Sequence, residues 1–307
     1  MMRRIFSISF VIIWLGLLTY YVHYSFRIDL PNNGDSCCYL NDLKYVISRY
    51  LHTAKKSLFI ASFGITDKDI AEILHTKDLP IKIAFDTKET NLIPSQENIE
   101  LVPHTKQGLM HKKVIGIDHE WVMLGSTNLT PLALKMHNNL IICIHSKELH
   151  SAIEENQYLK TDSFTYYPMP SLGKLALQEL ITLLNKANHR IYLCIYTFTH
   201  PNLIDALIQA HNRGVDVQIY MDRGMASGAC KKSVAKLKES KLFLATQVGT
   251  GLLHHKCAII DDFFVFGSAN WTKAAFTKNE EYILFLPSVP PAIKSFFITL
   301  KGKSLPL

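Results

Sequence analysis

The sequence predicts an α/β fold built from two similar halves, each with a mixed, largely parallel sheet, related by an approximate two-fold axis. One observation behind this prediction is a duplication: "GLMHKKVIGIDHEWVMLGSTNLT" at 108–130 returns as "GLLHHKCAIIDDFFVFGSANWT" at 251–272. Both copies contain His-x-Lys-x4-Asp followed by Gly-Ser-x-Asn. The other observation is a strand–helix–strand pattern that precedes each copy and implies a right-handed βαβ unit.

The segments that precede the two motif copies contain the same predicted elements in the same order. "AKKSLFIASFGITDKDIAEIL", from Ala54, passes from an apolar strand through a turn into an amphipathic helix, and so does "ANHRIYLCIYTFTHPNLIDALIQAHNRG", from Ala187. A second apolar strand follows in each half and ends at Asp86 or at Asp222. This repetition predicts that both halves share one plan.

Alternating apolar residues within the duplicated stretches predict hairpins, in which "HKKVIGID" and "HKCAIID" pair with the returning strands "WVML" and "FFVF". Gly-Ser-x-Asn ends each hairpin, and "LTPLALKM" and "WTKAAFTK" are predicted as short helices. Residues 160–173 hold two prolines, a glycine and no helical period, which predicts a linker. The first half is therefore predicted at 38–159 and the second at 174–307.

The N-terminal residues predict a membrane anchor at 1–26. After "MMRR", the uncharged run "IFSISFVIIWLGLLTYYVHYSF" is long enough to cross a bilayer, which takes about 20 apolar residues. Its last aromatic residues resemble an interfacial belt rather than a small-residue cleavage site. Arg3 and Arg4 favour a cytoplasmic N-terminus, so the rest of the chain is expected on the exported, non-cytoplasmic side. A cleaved signal peptide, which would give a secreted protein, is the alternative.

The composition is typical of a folded protein with an anionic partner. Hydrophobic residues make up 48% of the chain and charged residues 19%, which favours a large core over disorder. The net charge of +7 suits nucleic acid, acidic lipid or a phosphorylated small molecule without choosing among them. Cys143, Cys194 and Cys257 lie in apolar runs and are expected to be unpaired. No cysteine spacing is typical of a zinc site, so neither a metal nor a cofactor is predicted.

The duplicated polar residues suit a tetrahedral anion. Residues two apart on a strand face the same side, so the histidine and the lysine of each copy project together. The asparagine of Gly-Ser-x-Asn enters from the following turn and can donate an amide hydrogen. Two such groups face to face place imidazoles on opposite sides of a phosphorus atom, as in-line displacement requires. The candidate residues are His111, Lys113 and Asn128 in the first half, and His254, Lys256 and Asn270 in the second.

Both copies resemble the His-x-Lys-x4-Asp signature of the phospholipase D superfamily, including its Gly-Ser-x-Asn continuation. The second copy, through "NWTKAAFTKNEEYILFL", is similar to the bacterial endonucleases and the mitochondrial cardiolipin hydrolases, which pair two single-motif chains. This chain carries both motifs itself, as the two-motif phospholipases and phospholipid synthases do. The resemblance covers essentially the whole chain after the N-terminal segment. It implies the phospholipase D fold and a complete site without an obligate protein partner.

The resemblance also implies a two-step, metal-independent cleavage of a phosphodiester. One of the two motif histidines attacks phosphorus to form a phosphohistidine, and the other protonates the leaving alcohol and then activates the incoming water or alcohol. The lysines and asparagines would hold the non-bridging oxygens. The motif aspartates complete the catalytic signature and are predicted to brace the site from the hairpin ends, while the motif serines supply supporting hydrogen bonds. These residues are Asp118, Asp261, Ser126 and Ser268.

One departure from the family pattern makes the two halves chemically unequal. The family often has Asn-x-Glu after the motif, with the glutamate orienting the catalytic histidine. The second half has Glu281 at this position, whereas the first has Asn139. A carboxylate stabilises the positive charge that an imidazole gains on bonding phosphorus. With each partner serving the histidine of its own half, the charge argument favours His254 as nucleophile and His111 as general acid, and the reverse assignment stays compatible with the resemblance.

Three classes of function remain open to the sequence. A phospholipase D-type hydrolase or transferase acting on membrane phospholipids is favoured, because the predicted anchor places the site beside its substrate. A metal-independent nuclease acting on DNA or RNA is the alternative, because the second copy is similar to the small endonucleases. A membrane-tethered binding protein without activity is disfavoured, because every position of the signature is intact in both copies.

Overall fold

The computed structural model describes residues 14, 31, 36–90, 93 and 95–307. The predicted anchor, residues 1–26, lies outside the described residues apart from Trp14. Within the described ranges, no helix combines the length and the apolar character that a bilayer crossing needs. Both sheets lie in the compact unit Pro31–Leu307.

The first half contains a seven-stranded sheet. Its order is β1-β7-β6-β5-β2-β3-β4, and the motif hairpin β5–β6 lies at its centre. The strands are β1 (Ser36–Tyr39), β2 (Leu58–Ser62), β3 (Ile81–Phe85), β4 (Ile99–Pro103), β5 (Lys113–Ile117), β6 (Trp121–Gly125) and β7 (Ile141–His145).

The second half contains a nine-stranded sheet that repeats this plan and adds strands at both edges. Its order is β16-β12-β11-β10-β13-β14-β15-β9-β8, again with the motif hairpin β13–β14 at the centre. The strands are β8 (Leu159–Lys160), β9 (Thr165–Met169), β10 (Arg190–Ile195), β11 (Asp216–Met221), β12 (Phe243–Gln247), β13 (Lys256–Ile260), β14 (Phe263–Gly267), β15 (Glu281–Leu286) and β16 (Ser304–Pro306).

The prediction of largely parallel sheets is wrong. Among the described strands, β2–β3–β4 and β10–β11–β12 pair in parallel, and the other strand pairs are antiparallel. The βαβ pattern that the sequence shows accounts for only those three strands per half. The motif hairpin and the strand after it join their neighbours through short turns or short helices, and such connections reverse the chain.

The predicted linker at 160–173 is in fact part of the second sheet. Strand β9 lies inside it and pairs with β15 on one side and with β8 on the other. The prolines are typical of a linker, yet the segment forms a short buried strand. Pro168 pairs opposite Tyr282 without disrupting the ladder. The first sheet also begins slightly earlier than predicted, at Ser36 rather than at residue 38.

Helices cover the sheets, and apolar residues fill the space between the two sheets. The inner core joins Val122 and Leu124 of the first sheet to Phe264 and Leu284 of the second. The helices are α1 (Leu43–Thr53), α2 (Lys68–His75), α3 (Pro131–Lys135), α4 (Lys147–Glu154), α5 (Gly173–Lys186), α6 (Pro201–Asn212), α7 (Arg223–Ser227), α8 (Lys231–Glu239), α9 (Lys273–Thr277) and α10 (Pro291–Gly302).

The two short helices predicted after Gly-Ser-x-Asn are confirmed as α3 and α9. Each begins after a threonine whose hydroxyl accepts a backbone N–H in the first turn: Thr130 from Ala133 and Thr272 from Ala275. This cap stops the chain from continuing the preceding strand. It therefore fixes where the motif asparagine leaves the sheet.

Candidate active site

The two motif histidines lie where the halves meet. His111 and His254 lie two residues before the first residues of β5 and β13, and both are buried, with 8% and 7% of their surface exposed. The backbone N–H of His111 donates to the carbonyl of Glu280 in the second half at 2.8 Å. The N–H of His254 donates to the carbonyl of Asn138 in the first half at 2.9 Å. Such reciprocal contacts are the signature of an approximate two-fold relation.

The polar partner of each histidine comes from the opposite half. His111 Nδ1 lies 2.7 Å from Glu281 Oε1, and His254 Nδ1 lies 3.0 Å from Asn139 Oδ1. The sequence prediction paired each partner with the histidine of its own half, and that pairing is wrong. The reason is the backbone exchange across the interface. Because Glu280 bonds to the backbone of His111, the next residue, Glu281, reaches the His111 ring.

The motif serines hold these partners in place. Ser268 Oγ donates to Glu281 Oε2 at 2.6 Å, and Ser126 Oγ donates to Asn139 Oδ1 at 2.9 Å. Each hydroxyl also accepts the backbone N–H of the residue after its partner. Glu281 and Asn139 are fully buried. Each half-site therefore contains a series of hydrogen-bonded side chains that leads from the serine through the polar partner to the histidine. Each series crosses from one half to the other.

The two motif lysines are buried beside the histidines. The Nζ atoms of Lys113 and Lys256 donate to the carbonyls of His111 and His254 at 2.7 and 2.8 Å. Burial lowers the pKa of Lys113 from 10.5 to about 7. Burial, and then the charge of Lys113, hold the pKa of Lys256 well below 10.5. Two buried cationic side chains whose charges oppose each other favour an anion between them.

Sequence reasoning missed two aromatic residues that line the site. Lys113 Nζ lies 5.3 Å from the ring centre of Phe63, and Lys256 Nζ lies 5.1 Å from that of Tyr196. The same rings meet the motif histidines edge to face, with centroids 5.3 and 4.8 Å apart. Each aromatic follows the strand that pairs with its motif strand. Their equivalent positions in the two repeats are the signal that could have revealed them.

The pKa values of the two histidines are lowered unequally. Burial lowers the pKa of His111 below 6.5, and the negative charge of Glu281 opposes this effect. Among the described residues, the partner of His254 Nδ1 is the neutral Asn139 amide and no carboxylate. Burial, and then the charges of Lys256 and Lys113, hold its pKa well below 6.5. His111 is therefore the histidine on which a positive charge is stabilised.

The motif asparagines lie beyond the return strands, at the entrance to α3 and α9. Asn270 Oδ1 accepts the backbone N–H of Thr197 at 3.2 Å, which orients its amide group. Asn128 Oδ1 is buried and has no hydrogen-bond partner in the described part of the chain. Both side chains are half-buried. The NH2 groups of these two amides remain the predicted donors to a ligand.

The motif aspartates lie at the opposite ends of the motif strands, away from the histidines. Asp118 accepts backbone N–H groups from residues 55–57, and Asp261 accepts those of residues 188–190. At ~3.3 Å per residue, the length of β5 separates Asp118 from Lys113 by roughly 16 Å. Their place in the catalytic signature therefore does not reflect contact with the reacting atoms. They are turn residues that fasten each hairpin to the strand beside it.

A second pair of aspartates positions the histidines instead. Asp86 Oδ2 accepts the backbone N–H of Met110 at 3.2 Å, and Asp222 Oδ2 accepts that of Leu253 at 3.1 Å. Both aspartates are buried at the ends of the second strands of the βαβ units. They fix the residue before each histidine. The repeated strand-ending aspartate was visible in the sequence, but its target was not.

The architecture and the site agree with comparisons to known proteins. A sequence profile described as "Cardiolipin synthase, PLD-like domain" matches residues 47–158 and 180–296, well over half of the chain. The chain belongs to the phospholipase D superfamily.

Relatives of this phospholipase D superfamily member match only part of its length. The mitochondrial cardiolipin hydrolase of Xenopus tropicalis is 33% identical over 118 residues, which are 38% of this chain and 55% of that protein. The phospholipase D of Rickettsia typhi is 32% identical over 125 residues, 40% of this chain and 59% of that protein. The chain thus spans little more than half the length of these curated relatives. The structure of phosphatidylserine synthase from Haemophilus influenzae shares the fold, with a TM-score of 0.68, 14% identity, and coverage of 91% of this chain and 88% of that one.

Proposed function

We propose that the enzyme cleaves the headgroup phosphodiester of membrane phospholipids, releasing an alcohol and leaving phosphatidic acid, or transfers the phosphatidyl group to another alcohol. The observation that carries this proposal is the pair of buried histidines, each with a polar partner from the other half and a buried lysine beside it. Relatives named cardiolipin hydrolase and phospholipase D support a phospholipid as substrate.

In the first step, Nε2 of one histidine attacks phosphorus while the bond to the headgroup oxygen breaks, and the other histidine gives that oxygen a proton. In the second step, the histidine that lost its proton takes one from water. The water oxygen attacks phosphorus, the phosphorus–nitrogen bond breaks, and the free histidine is restored. Both steps are in-line displacements that need the two imidazoles on opposite sides of the phosphate.

The polar partners of the two histidines support His111 as the nucleophile. The phosphohistidine carries a positive charge on its imidazole, and the carboxylate of Glu281 lies against His111 rather than against His254. His254, held by the neutral Asn139, is the proton donor and then the base. An anionic phosphodiester offsets the two lysine charges that lower the pKa of His254, so substrate binding favours its protonated form.

The charge of the phosphate is neutralised by side chains in this mechanism. The buried ammonium groups of Lys113 and Lys256 face the site, and the amides of Asn128 and Asn270 add neutral donors. Donors that are already oriented stabilise charge as it develops, without further reorganisation. The proposed reaction therefore needs no metal ion at phosphorus, and one chain completes the site without an obligate protein partner.

The N-terminal residues 1–26 are proposed to anchor the enzyme in a membrane, with the catalytic unit on the exported side. The basis is the uncharged run after "MMRR" and the aromatic residues at its end. An anchor keeps the enzyme beside a lipid substrate. This arrangement favours phospholipid over nucleic acid as the physiological phosphodiester.

One preparation assayed against two substrates tests the proposed function. The purified chain is incubated with vesicles of phosphatidylcholine and cardiolipin and, in parallel, with end-labelled single-stranded DNA. We expect phosphatidic acid from the vesicles, and none from the matched double variant His111→Asn/His254→Asn. DNA fragments without phosphatidic acid would instead identify a nuclease.

A further inference from the structure

We propose that the first half holds a binding site for a divalent transition-metal ion, formed by His119, His150 and Glu154. His119 lies in the β5–β6 turn, and the other two residues lie one turn apart on α4. The site is separate from the catalytic histidines, because the turn is at the far end of β5 from Lys113. The ion would join the motif hairpin to the helix that packs against β6.

The spacing of the candidate ligand atoms is close to that of a tetrahedral site. One atom from each of the three side chains lies within 4.8 Å of the other two. His150 Nδ1 lies 3.3 Å from Glu154 Oε2, and His119 Nδ1 lies 3.8 Å from the same oxygen. Ligands of tetrahedral zinc, bound at about 2.0–2.1 Å, are about 3.4 Å apart. Small side-chain shifts would therefore close the site around an ion.

The state of His150 gives independent support for a ligand. The side chain is 2% exposed, and neither ring nitrogen has a hydrogen-bond partner within the described residues. Buried polar atoms without partners are rare, because each costs about 1–3 kcal/mol. Coordination of Nδ1 by a metal ion supplies the missing partner. Without an ion, the group that lies nearest to Nδ1 is the Glu154 carboxylate, with Oε2 at 3.3 Å.

The two repeats differ at the positions that form this site. The first hairpin turn is one residue longer than the second, and both Asp118 and His119 have positive φ, 56° and 58°. In the second turn only Asp261 does, with φ 51°. Two successive residues with positive φ are typical of tight hairpin turns, and the first turn thereby differs from the second at the position of His119.

A glycine in β5 makes room for the buried ligand. A Cβ atom at Gly116 would lie only 2.5 Å from His150 Nε2. The corresponding residue of the second motif, two positions before its aspartate, is Ile259. Because the first half has a glycine where the second has an apolar side chain, the His150 ring can occupy the space beside β5.

Two imidazoles and one carboxylate suit Zn²⁺, Co²⁺ or Ni²⁺ better than Mg²⁺ or Ca²⁺, which prefer oxygen ligands. Three protein ligands leave one tetrahedral position for water. The site lies roughly 16 Å along β5 from Lys113, at ~3.3 Å per residue, so the ion cannot contact the scissile phosphate. Its expected effect is on the stability of the hairpin and α4.

Cobalt titration of the purified full chain tests this proposal directly, because tetrahedral Co²⁺ gives intense visible absorption. We expect one equivalent to bind to the wild-type chain and to His254→Asn. His119→Ala and Glu154→Gln should lose at least about ten-fold in affinity. His75→Ala, which removes an exposed histidine of α2, is the matched control and should bind as the wild type does.

Thermal unfolding with Zn²⁺ provides the second measurement. Equimolar Zn²⁺ should raise the Tm of the wild type and of His75→Ala, and leave that of His119→Ala unchanged. Turnover below the Tm should not depend on the ion. Affinity for Co²⁺ that is equal in the wild type, His119→Ala and Glu154→Gln would overturn the proposal. So would loss of turnover when a chelator removes the ion from a folded chain.

Discussion

Glu281 and His111 belong to different halves of the chain, yet Glu281 Oε1 lies 2.7 Å from His111 Nδ1. The reciprocal contact, His254 Nδ1 to Asn139 Oδ1 at 3.0 Å, has an amide in place of the carboxylate. The two half-sites are therefore interdependent, and only one of them stabilises a full positive charge. This asymmetry distinguishes the roles of the two histidines.

The first prediction concerns which histidine carries the phosphoryl intermediate. A phosphatidyl ester of p-nitrophenol has a leaving group that needs no proton, so the first step proceeds without the general acid. His254→Asn should then accumulate phosphoenzyme, because it lacks the base that activates water. His111→Asn should accumulate none. Both variants should unfold near the wild-type Tm. Phosphoenzyme in His111→Asn alone would assign the nucleophile to His254.

The second prediction separates the two partners. Glu281→Gln should lower kcat by roughly 10²–10³-fold, because the phosphohistidine loses its carboxylate. The rate with the p-nitrophenyl ester should fall as well, since attack itself is slowed. Asn139→Ala should spare the initial burst of p-nitrophenol, which reports the first step, and slow only the later turnover, because Asn139 orients the acid and base. An unimpaired first step in Glu281→Gln would contradict the assignment.

A pH profile of Glu281→Gln provides a further measurement of the same contact. The negative charge of Glu281 raises the pKa of His111 against the effect of burial. Its removal lowers that pKa further, so the acid limb of kcat/KM set by His111 should move to lower pH. A shift to higher pH would show that the carboxylate acts elsewhere.

The third prediction is that a catalytic lysine reduces stability. Burial lowers the pKa of Lys113 from 10.5 to about 7. The loss of stability caused by burying this ammonium group is complete below pH 7, where Lys113 is protonated in both the folded and the unfolded chain. It disappears as the pH rises from 7 towards 10.5. Lys113→Met should raise the free energy of unfolding by roughly 1–4 kcal/mol at pH 6, with the gain shrinking at high pH.

Activity and a surface control complete this test. Lys113→Met should lower kcat by roughly 10²–10³-fold, because the phosphate loses a fixed cation. Lys174→Met, at an exposed position of α5, should change neither stability nor kcat. Urea unfolding at several pH values measures the effect. A Lys113→Met variant that is less stable than the wild type at pH 6 would contradict the prediction.

The fourth prediction concerns the motif aspartates. Burial opposes ionisation of Asp261, but the N–H groups of Arg190, Asn188 and His189 more than offset it and hold its pKa below 3.8. Its stabilising contribution is therefore present above pH 3.8 and is lost as pH falls through the lower folded pKa. Asp261→Ala should cost about 1–3 kcal/mol of stability at pH 7.

Turnover distinguishes a brace from a catalytic group. Asp261→Ala should keep the wild-type kcat at temperatures below its lowered Tm, because the side chain contacts only backbone N–H groups and no reacting atom. Asp262→Ala, whose side chain is 91% exposed, is the neighbouring control and should change neither quantity. A large loss of kcat in a fully folded Asp261→Ala chain would show that Asp261 takes part in catalysis.

Local pattern accounts for what the sequence predicted correctly. The motif hairpins, the capped short helices α3 and α9, and the βαβ strands follow from residue periodicity and from the threonine caps, which act within a few residues. Strand β9 was missed because Pro168 within it and Pro170 after it are typical of a linker. Its place in the sheet depends on β15, more than a hundred residues later.

The three proposed metal ligands show the same limit of what local sequence pattern can predict. His150 and Glu154 have the i, i+4 spacing that a helix places on one face, so this pair was visible in the sequence. His119 comes from a turn some thirty residues earlier, and no local rule connects it to α4. Only the packing of the helix against the hairpin brings the three side chains together.

The sequence by itself predicted the reaction class, because its two motif copies resemble the phospholipase D signature and supply the histidines, lysines and asparagines that a phosphohistidine mechanism needs. It also determined that the halves are unequal, since Glu281 and Asn139 differ in charge. Which histidine receives the carboxylate was decided only by the tertiary structure. The backbone of each motif bonds to the opposite half, through Glu280 and Asn138. Long-range pairing of this kind has no local sequence signal, because it depends on how two separately encoded halves face each other.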